Sequence, residues 1–456
     1  MPPTQVTDEI ASFLAHNPDT RVIELLVPDT NGIFRGKRIE RHLLEKVATD
    51  GVCLPGSLFG MDITGTTVET TGLGFDEGDA DRLCWPVAGS LSVVPWQSRP
   101  TAQMLLAMYE NDGAPFFADP RHVLAGVLAQ FQRDGLTPVV ALEMEFYLID
   151  LERAPDGTPQ PPRSPVTAER ERSTQVYGMR ELDEYRRVLE AIEETAARQN
   201  IPADTAVSEY APGQYEINLQ HQDDALRACD HAILLKHLIK NVVRAQGMDV
   251  TFMAKPYTDL AGSGMHIHVS VVDQAGHNIF QGTNANGSDR LRHAVGGLLE
   301  TMAESMALFS PNANSFRRFQ SGAFVPNSPD WGYNNRTTAL RIPAGSDSAR
   351  RVEHRVPGAD ANPYLLTAAV LAGMHHGLAH AVEPVPATAG NAYEQRAGGL
   401  PLTWLRALER FRDGAVLPQY LNADFRRVYI ANKNYEREVF NKRVTALEYE
   451  WYLRTV

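Results

Sequence analysis

Two glutamates one residue apart, two histidines one residue apart, and two more glutamates bracketing a Pro-Gly pair are the residues of this chain best suited to chemistry. They are Glu143 and Glu145 in Glu143-Met144-Glu145, His266 and His268 in Gly262-Ser263-Gly264-Met265-His266-Ile267-His268, and Glu209 and Glu216 at the ends of Glu209-Tyr210-Ala211-Pro212-Gly213-Gln214-Tyr215-Glu216. A further acid, Glu353, lies between Arg351 and Arg355, downstream of Arg336 and Arg341. Carboxylates gathered in one place repel each other, and a bound cation makes such a cluster tolerable. Five carboxylates and one imidazole form an oxygen-rich ligand set that favours Mg²⁺ or Mn²⁺ over zinc, and such ions serve phosphates. The pattern reads as a binuclear metal site for a nucleotide such as ATP.

Spacing supports the convergence. Side chains two apart on a strand leave the same face, which pairs Glu143 with Glu145 and His266 with His268. Pro212-Gly213 suits the centre of a type II turn, and a hairpin closed there sets Glu209 directly opposite Glu216. Like charges so placed destabilise a sheet by a fraction of ~1 kcal/mol unless something positive lies between them. Taken singly, each motif has a plainer reading: solvated glutamates on an open loop, a satisfied core histidine, an Arg351-Glu353-Arg355 ion-pair ladder. Arg317, Arg318, Arg336, Arg341, Arg351 and Arg355 add guanidinium groups suited to carboxylates and phosphates. The chain has neither a Walker lysine loop nor a GxGxxG fingerprint, so metals and arginines would have to hold the nucleotide.

The elements that must position these residues fall into two parts. From Arg21 to about Pro95 the pattern is short strands and turns, with Val22–Val27 as a strand, Asp29–Gly32 as a turn and Ile33–Gly36 as the next strand. Thr101 to Gly113 reads as helical, and Asp119-Pro120-Arg121 opens another helix with proline in its first turn. These features place a boundary near residue 112, giving an N-terminal domain of 1–112 and a larger domain of 113–456. In the second part Thr137–Ile149 is strand-like, 151–174 is a polar loop, Leu182, Tyr185, Leu189 and Ile192 recur at helical spacing, and Leu226–Gln246 is helical. The mixture predicts an α+β fold with an antiparallel sheet carrying the site.

Composition narrows the function classes. With 43 Lys and Arg against 56 Asp and Glu, the net charge of -13 argues against general affinity for nucleic acid or an anionic membrane. Cys53, Cys84 and Cys229 lie far apart without CxxC spacing, which fits a reducing cytoplasm, and all three read as buried small hydrophobes. Met1 to Asp19 lacks the basic stretch and apolar run of a secretory signal, so no export is expected. The apolar run Leu365–Val382 contains His375, His376 and His380, and reads as a buried helix rather than a membrane span.

Over nearly its whole length the chain resembles glutamine synthetase. The resemblance rests on Glu143-Met144-Glu145-Phe146, Gly213-Gln214-Tyr215-Glu216, Gly264-Met265-His266-Ile267-His268, Asn314-Ser315-Phe316-Arg317-Arg318, Asn335-Arg336, Arg341-Ile342-Pro343, Arg351-Val352-Glu353-His354-Arg355 and Ala361-Asn362-Pro363-Tyr364, all in the family's order. It implies a β-grasp N-terminal domain, a catalytic α+β domain, and a homo-dodecamer of two stacked hexameric rings with each active site between neighbouring subunits. It also implies two or three Mg²⁺ or Mn²⁺ ions, with Glu145, Glu209 and Glu216 at the first and Glu143, His266 and Glu353 at the second. His268, Arg341 and Arg351 match ATP contacts. Arg318 and Gly262 match the amino-acid pocket, and Arg336 and Arg355 match groups that steady the transferred phosphate and the acyl phosphate. The implied chemistry activates the glutamate γ-carboxylate as γ-glutamyl phosphate, which an amine then attacks.

Two positions depart from the ammonia-using pattern. Phe324 stands where a flap glutamate closes the ammonium site, and Ala261 replaces an asparagine that touches the substrate amino group. A phenyl ring cannot hold NH₄⁺ as a carboxylate does, but it can line an apolar passage. Asp62, in Phe59-Gly60-Met61-Asp62-Ile63-Thr64-Gly65, matches the family's other ammonium-site acid, and Asp62 or water would accept the proton that an alkylammonium group must lose. This pattern, with Leu73 to Pro86, is similar to the γ-glutamylpolyamine synthetase branch, which joins glutamate to putrescine or related amines. A glutamine synthetase using ammonia, or a non-catalytic scaffold relative, are the other readings. Tyr393, near an adenylylation position of some bacterial members, reads as structural.

Overall fold

A computed structural model of the chain describes residues 4–170, 172–173, 175–282, 286–320, 324–395 and 398–456. Strands β1 (Val22–Pro28) and β2 (Phe34–Glu40) form a hairpin around Asp29, whose Oδ1 accepts the N–H groups of Asn31 and Ile33 while Gly32 takes φ 70°. With β3 (Val52–Pro55), β4 (Asp81–Pro86), β5 (Ser92–Val93) and β6 (Thr101–Tyr109) they make a sheet of order β2-β1-β6-β4-β3, with β5 on β6. β1 and β6 are parallel at its centre. The helix Leu44–Asp50 buries Leu44, Val47 and Ala48 in the same cluster as Ile23, Leu25 and Met104, completing a β-grasp arrangement.

Two expectations need correction here. Residues 101–109 are strand β6, not helix. The strand is buried on both faces, Met104, Leu106 and Met108 in the N-terminal core and Leu105 and Ala107 in the main one. A strand covered on both sides loses its alternation and reads as a continuous apolar run, which periodicity alone cannot separate from a helix. Cys53 is exposed, whereas Cys84 and Cys229 are buried. It lies on β3, which ends the strand order of its sheet and is only partly covered.

The second sheet carries the candidate residues. Its strands are β7 (Leu136–Ile149), β8 (Ala203–Ser208), β9 (Gln214–Leu219), β10 (Asp249–Thr251), β11 (Met265–Asp273), β12 (Trp331–Tyr333), β13 (Leu340–Ile342) and β14 (Val352–His354). The order is β12-β13-β14-β11-β7-β9-β8, with β10 on β7, and every pair is antiparallel except β12 with β13. On β7, Leu142, Met144 and Phe146 enter the main core, which leaves Glu143 and Glu145 on the opposite face.

Helices Pro120–Arg133, Ala225–Ala245, Asp289–Phe309 and Pro363–His380 supply much of that core. Asp119, Asp224, Ser288 and Asn362 cap their first turns by accepting backbone N–H groups, and Pro120 and Pro363 open two of them. Pro363–His380 is buried over nearly its whole length. Among the described residues no helix is long and apolar enough to cross a membrane.

Candidate active site

Strand register assembles the acids. Glu145 on β7 lies directly opposite Glu216 on β9, Glu143 lies opposite His266 on β11, and His268 lies opposite Glu353 on β14, which in turn faces Arg341 on β13. One row across five strands thus gathers residues spread over more than two hundred positions of sequence. The expected turn is present: Gln214 N–H donates to Ala211 O at 2.9 Å and Gly213 takes φ 75°. The expected pairing of Glu209 with Glu216 is not. The hairpin closes two residues wider, around a four-residue loop of residues 210–213, with Glu209 N–H donating to Gln214 O and Val207 opposite Glu216. The Ala211–Gln214 turn thus sits inside a longer loop, so turn chemistry alone does not fix the strand register.

Glu143 is the hub. His266 Nδ1 lies 3.2 Å from one of its carboxylate oxygens and His268 Nε2 2.7 Å from the other. Arg351 Nε donates to His268 Nδ1 at 3.0 Å, which leaves His268 Nε2 to carry the proton offered to Glu143. Glu145 accepts the Gly264 N–H at 2.8 Å and lies 3.9 Å from His266 Nε2. Glu353 is buried and accepts from Arg341 at 2.7 Å and from Arg355. Donor atoms fall within 4.8 Å of one another in two triplets, Glu143-Glu216-His266 and Glu143-His268-Glu353. The sets implied by resemblance divide these residues differently, and Glu143 is shared between the observed triplets.

The electrostatics show an unbalanced cluster. Burial opposes ionisation of Glu143, but hydrogen bonds from His266 and His268 hold it well below the usual carboxylate range. Burial likewise opposes ionisation of Glu353, and the charge of Arg355 overcomes it, leaving the group at about 2. On the other side, burial and then the charge of Glu145 push Glu209 up to about 8. Burial, then Glu143 and Glu145, push Glu216 well above its ordinary value. A carboxyl held protonated by its neighbours is what a divalent cation would ionise, so the oxygen-rich donor set fits such ions.

Glu143, Glu145, Glu209, Glu216, His266 and Glu353 line a cavity of about 590 Å³ that also takes in Arg318, Arg336, Arg341, Arg355, Gly262, Tyr210 and Phe324, whereas His268 and Arg351 lie behind its wall beside Glu143 and Glu353. A match to the glutamine synthetase catalytic domain covers residues 117–452. The chain belongs to the glutamine synthetase family. It is 45% identical to the gamma-glutamylputrescine synthetase PuuA of Escherichia coli strain K12, over 98% of this chain and 95% of that protein. It is 33% identical to a glutamate–isopropylamine ligase of a Pseudomonas species, over 96% and 95% of the two chains. Among solved structures, GmaS in complex with ADP superposes with a TM-score of 0.84 at 27% identity, covering 97% of this chain and 99% of that one.

Within this glutamine synthetase family member, the glycines beside His266 have a defined steric purpose. A Cβ on Gly262 would sit 2.7 Å from Arg318 Cγ, and one on Gly264 2.6 Å from an Arg318 terminal nitrogen. Arg318 is buried at 3% exposure and donates to the carbonyls of Val356, Pro357 and Arg355. Its Nε has no hydrogen-bond partner among the described residues. A buried guanidinium bonded only to neutral carbonyls is well prepared for a substrate carboxylate.

Asp62 is not brought to the cavity within one chain. Its Oδ1 accepts from Thr64 N–H, Thr64 Oγ1 and Thr66 N–H at 2.7–2.9 Å, so the carboxylate organises its own loop. That loop packs on the helix Ala423–Asn441 through a hydrogen bond from Ile63 N–H to Glu436. Tyr393 donates its hydroxyl to Val325 O at 3.1 Å.

Sequence reading missed several residues. Asn218 lies opposite Glu143 in the β7–β9 register and also lines the cavity. His221 packs edge-on against His268 at 5.9 Å, and burial, then the charges of His268 and Arg351, hold it down at about 4. Gln214 bonds Gly262 O at 3.0 Å, joining the turn to the glycine loop. Only Gln214 had a local signal, its place beside Pro212-Gly213.

Proposed function

We propose that this protein is a carbon–nitrogen ligase that uses ATP to join the γ-carboxylate of glutamate to a primary amine or polyamine of putrescine type, through γ-glutamyl phosphate. One observation carries the choice of amine: the flap position of the cavity holds the ring of Phe324, packed on Tyr210, in place of an acid. The amines named for the Escherichia coli and Pseudomonas relatives point the same way. The family works with ATP and divalent metals.

In this reading Arg318 anchors the glutamate α-carboxylate, while Gly262 keeps the backbone close to the amino acid. His268, Arg341 and Arg351 hold ATP, and Arg336 and Arg355 steady the transferred phosphoryl group and the acyl phosphate. Glu145, Glu209 and Glu216 would hold one ion and Glu143, His266 and Glu353 a second. Two or three Mg²⁺ or Mn²⁺ ions bound there would screen the repulsion between carboxylate and phosphate.

A γ-carboxylate oxygen attacks the γ-phosphorus and ADP leaves. The amine nitrogen then attacks the acyl carbon, the C–O bond to phosphate breaks, and the nitrogen gives up a proton. We assign that proton to Asp62 of a neighbouring copy in a homo-dodecamer of two hexameric rings, because Asp62 lies outside its own chain's cavity. A two-domain division near residue 112 and a cytoplasmic location belong to the same proposal, the latter supported by three free cysteines.

The test is glutamate-dependent phosphate release from ATP with putrescine, spermidine, small monoamines and ammonia. Putrescine or another alkylamine is expected to be preferred. Ammonia as the best substrate by a wide margin would overturn the reading.

A further inference from the structure

The cavity wall contains an aromatic residue that no motif flags. Tyr210 follows Glu209 directly, at the entry to the Ala211–Gln214 turn, and its ring stacks on Phe324 with centroids 5.8 Å apart and planes inclined by 26°. The two residues are 114 positions apart in sequence and both line the cavity. Tyr210 is 54% and Phe324 45% exposed, so the pair presents open apolar surface toward a cavity whose lining includes the acids and arginines of the site. Phe324 holds φ 52°, a left-handed backbone that a bulky residue adopts only where its surroundings impose it.

We infer that Tyr210 and Phe324 together form a platform for the carbon chain of the amine, which makes Tyr210 a specificity-determining residue in its own right. The inference rests on the ligase reading above and extends it to a substrate class: unbranched alkylamines and diamines with several methylenes beyond the reacting nitrogen. Glu209 adjoins Tyr210, so an amine whose nitrogen lies toward the acids would run its methylenes across the aromatic surface. A second ammonium group farther along gains from the negative ring faces. Ammonia and methylamine are too short to use either contribution.

The platform predicts how selectivity scales. Covering or uncovering a methylene in an apolar pocket changes kcat/KM by about tenfold or more. The two rings are half exposed and cover the chain on one side only, so each methylene gains a fraction of that, and for the wild-type protein kcat/KM should rise at least about tenfold in total over the three methylenes from methylamine to butylamine. Tyr210→Ala should flatten that rise to within about threefold, while Tyr210→Phe, which keeps the ring, should preserve it. KM for ATP and for glutamate should stay within about twofold in both variants. Because the rings touch, Tyr210→Ala in a Phe324→Ala background should add little.

A Tyr210→Ala protein that keeps the wild-type dependence on chain length overturns the inference. So does one that loses activity equally with every amine, because that would mean Tyr210 merely supports Glu209. Wild-type protein releasing no phosphate with any amine would instead defeat the ligase reading itself, and the platform with it.

Discussion

Glu209→Gln replaces an ionisable carboxyl of the acid cluster with a neutral amide of the same size, and its effect on stability should reverse sign when divalent cation is added. Burial and the neighbouring Glu145 raise Glu209 from 4.5 to about 8, so near neutrality the folded, metal-free chain retains a proton that the unfolded chain has lost. The folded state therefore binds the extra proton, and stability falls as pH rises from about 4.5 toward 8, then levels off. At pH 7 the penalty is at most roughly 3 kcal/mol, and solvent screening of a partly exposed group trims it to about 1–2 kcal/mol.

Unfolding entropy scales with length and reaches roughly 1 kcal/mol per kelvin for a chain of this size, so the metal-free variant should melt about 1–2 °C above wild type. Cation binding stabilises the wild type by about 2.7 kcal/mol at a hundredfold excess over Kd, and the variant should lose most of that gain. The assay is thermal denaturation in EDTA and across a Mg²⁺ or Mn²⁺ titration, repeated from pH 5 to 8.5. The metal-free gap between variant and wild type should widen with pH up to about 8. A metal-free variant that melts below wild type, a gap that narrows as pH rises, or an undiminished Mg²⁺ response would refute the reasoning.

Removing Glu353 leaves Arg341 and Arg355 without their shared carboxylate. Glu353→Ala should destabilise the fold by about 3–5 kcal/mol, as loss of one partner from a buried ion pair does, and should abolish phosphate release; denaturation with a parallel activity assay checks both. Gly262→Ala drives a methyl to within 2.7 Å of Arg318 Cγ and the Ala254 carbonyl, so KM for glutamate should rise about tenfold while KM for ATP holds; initial-rate kinetics decide it. Phe324→Glu should improve ammonia use and weaken alkylamine use, and an unchanged preference would count against the flap account. Asp62→Ala and Glu145→Ala proteins, each inactive alone, should regain part of the activity when co-expressed if Asp62 serves a neighbouring copy; no recovery in a mixed oligomer would place the proton acceptor elsewhere.

Chemistry that depends on short-range geometry was legible without coordinates. A strand repeats every two residues, so Glu143 with Glu145 and His266 with His268 had to share faces, and the oxygen-rich set pointed to hard divalent cations. Pro212-Gly213 specified its turn because only a residue tolerant of positive φ fits the third position, and Gly213 indeed takes φ 75°. The Pro120 helix start was equally local, set by a capping side chain followed by a proline.

Tertiary structure alone decided what depends on distant surfaces. On β8 it is Val207 rather than Glu209 that faces Glu216, while β7 sets Glu145 against the other side of Glu216, pairings the local turn does not specify. Thr101–Tyr109 became a strand because two cores cover it, a fact absent from its own residues. The space that Gly262 and Gly264 leave for Arg318, and the stacking of Tyr210 on Phe324, arise only once loops more than fifty residues apart are folded onto one cavity. Residue types and local spacing are properties of the chain, whereas these approaches are set by the summed burial of the whole core, which no short segment encodes.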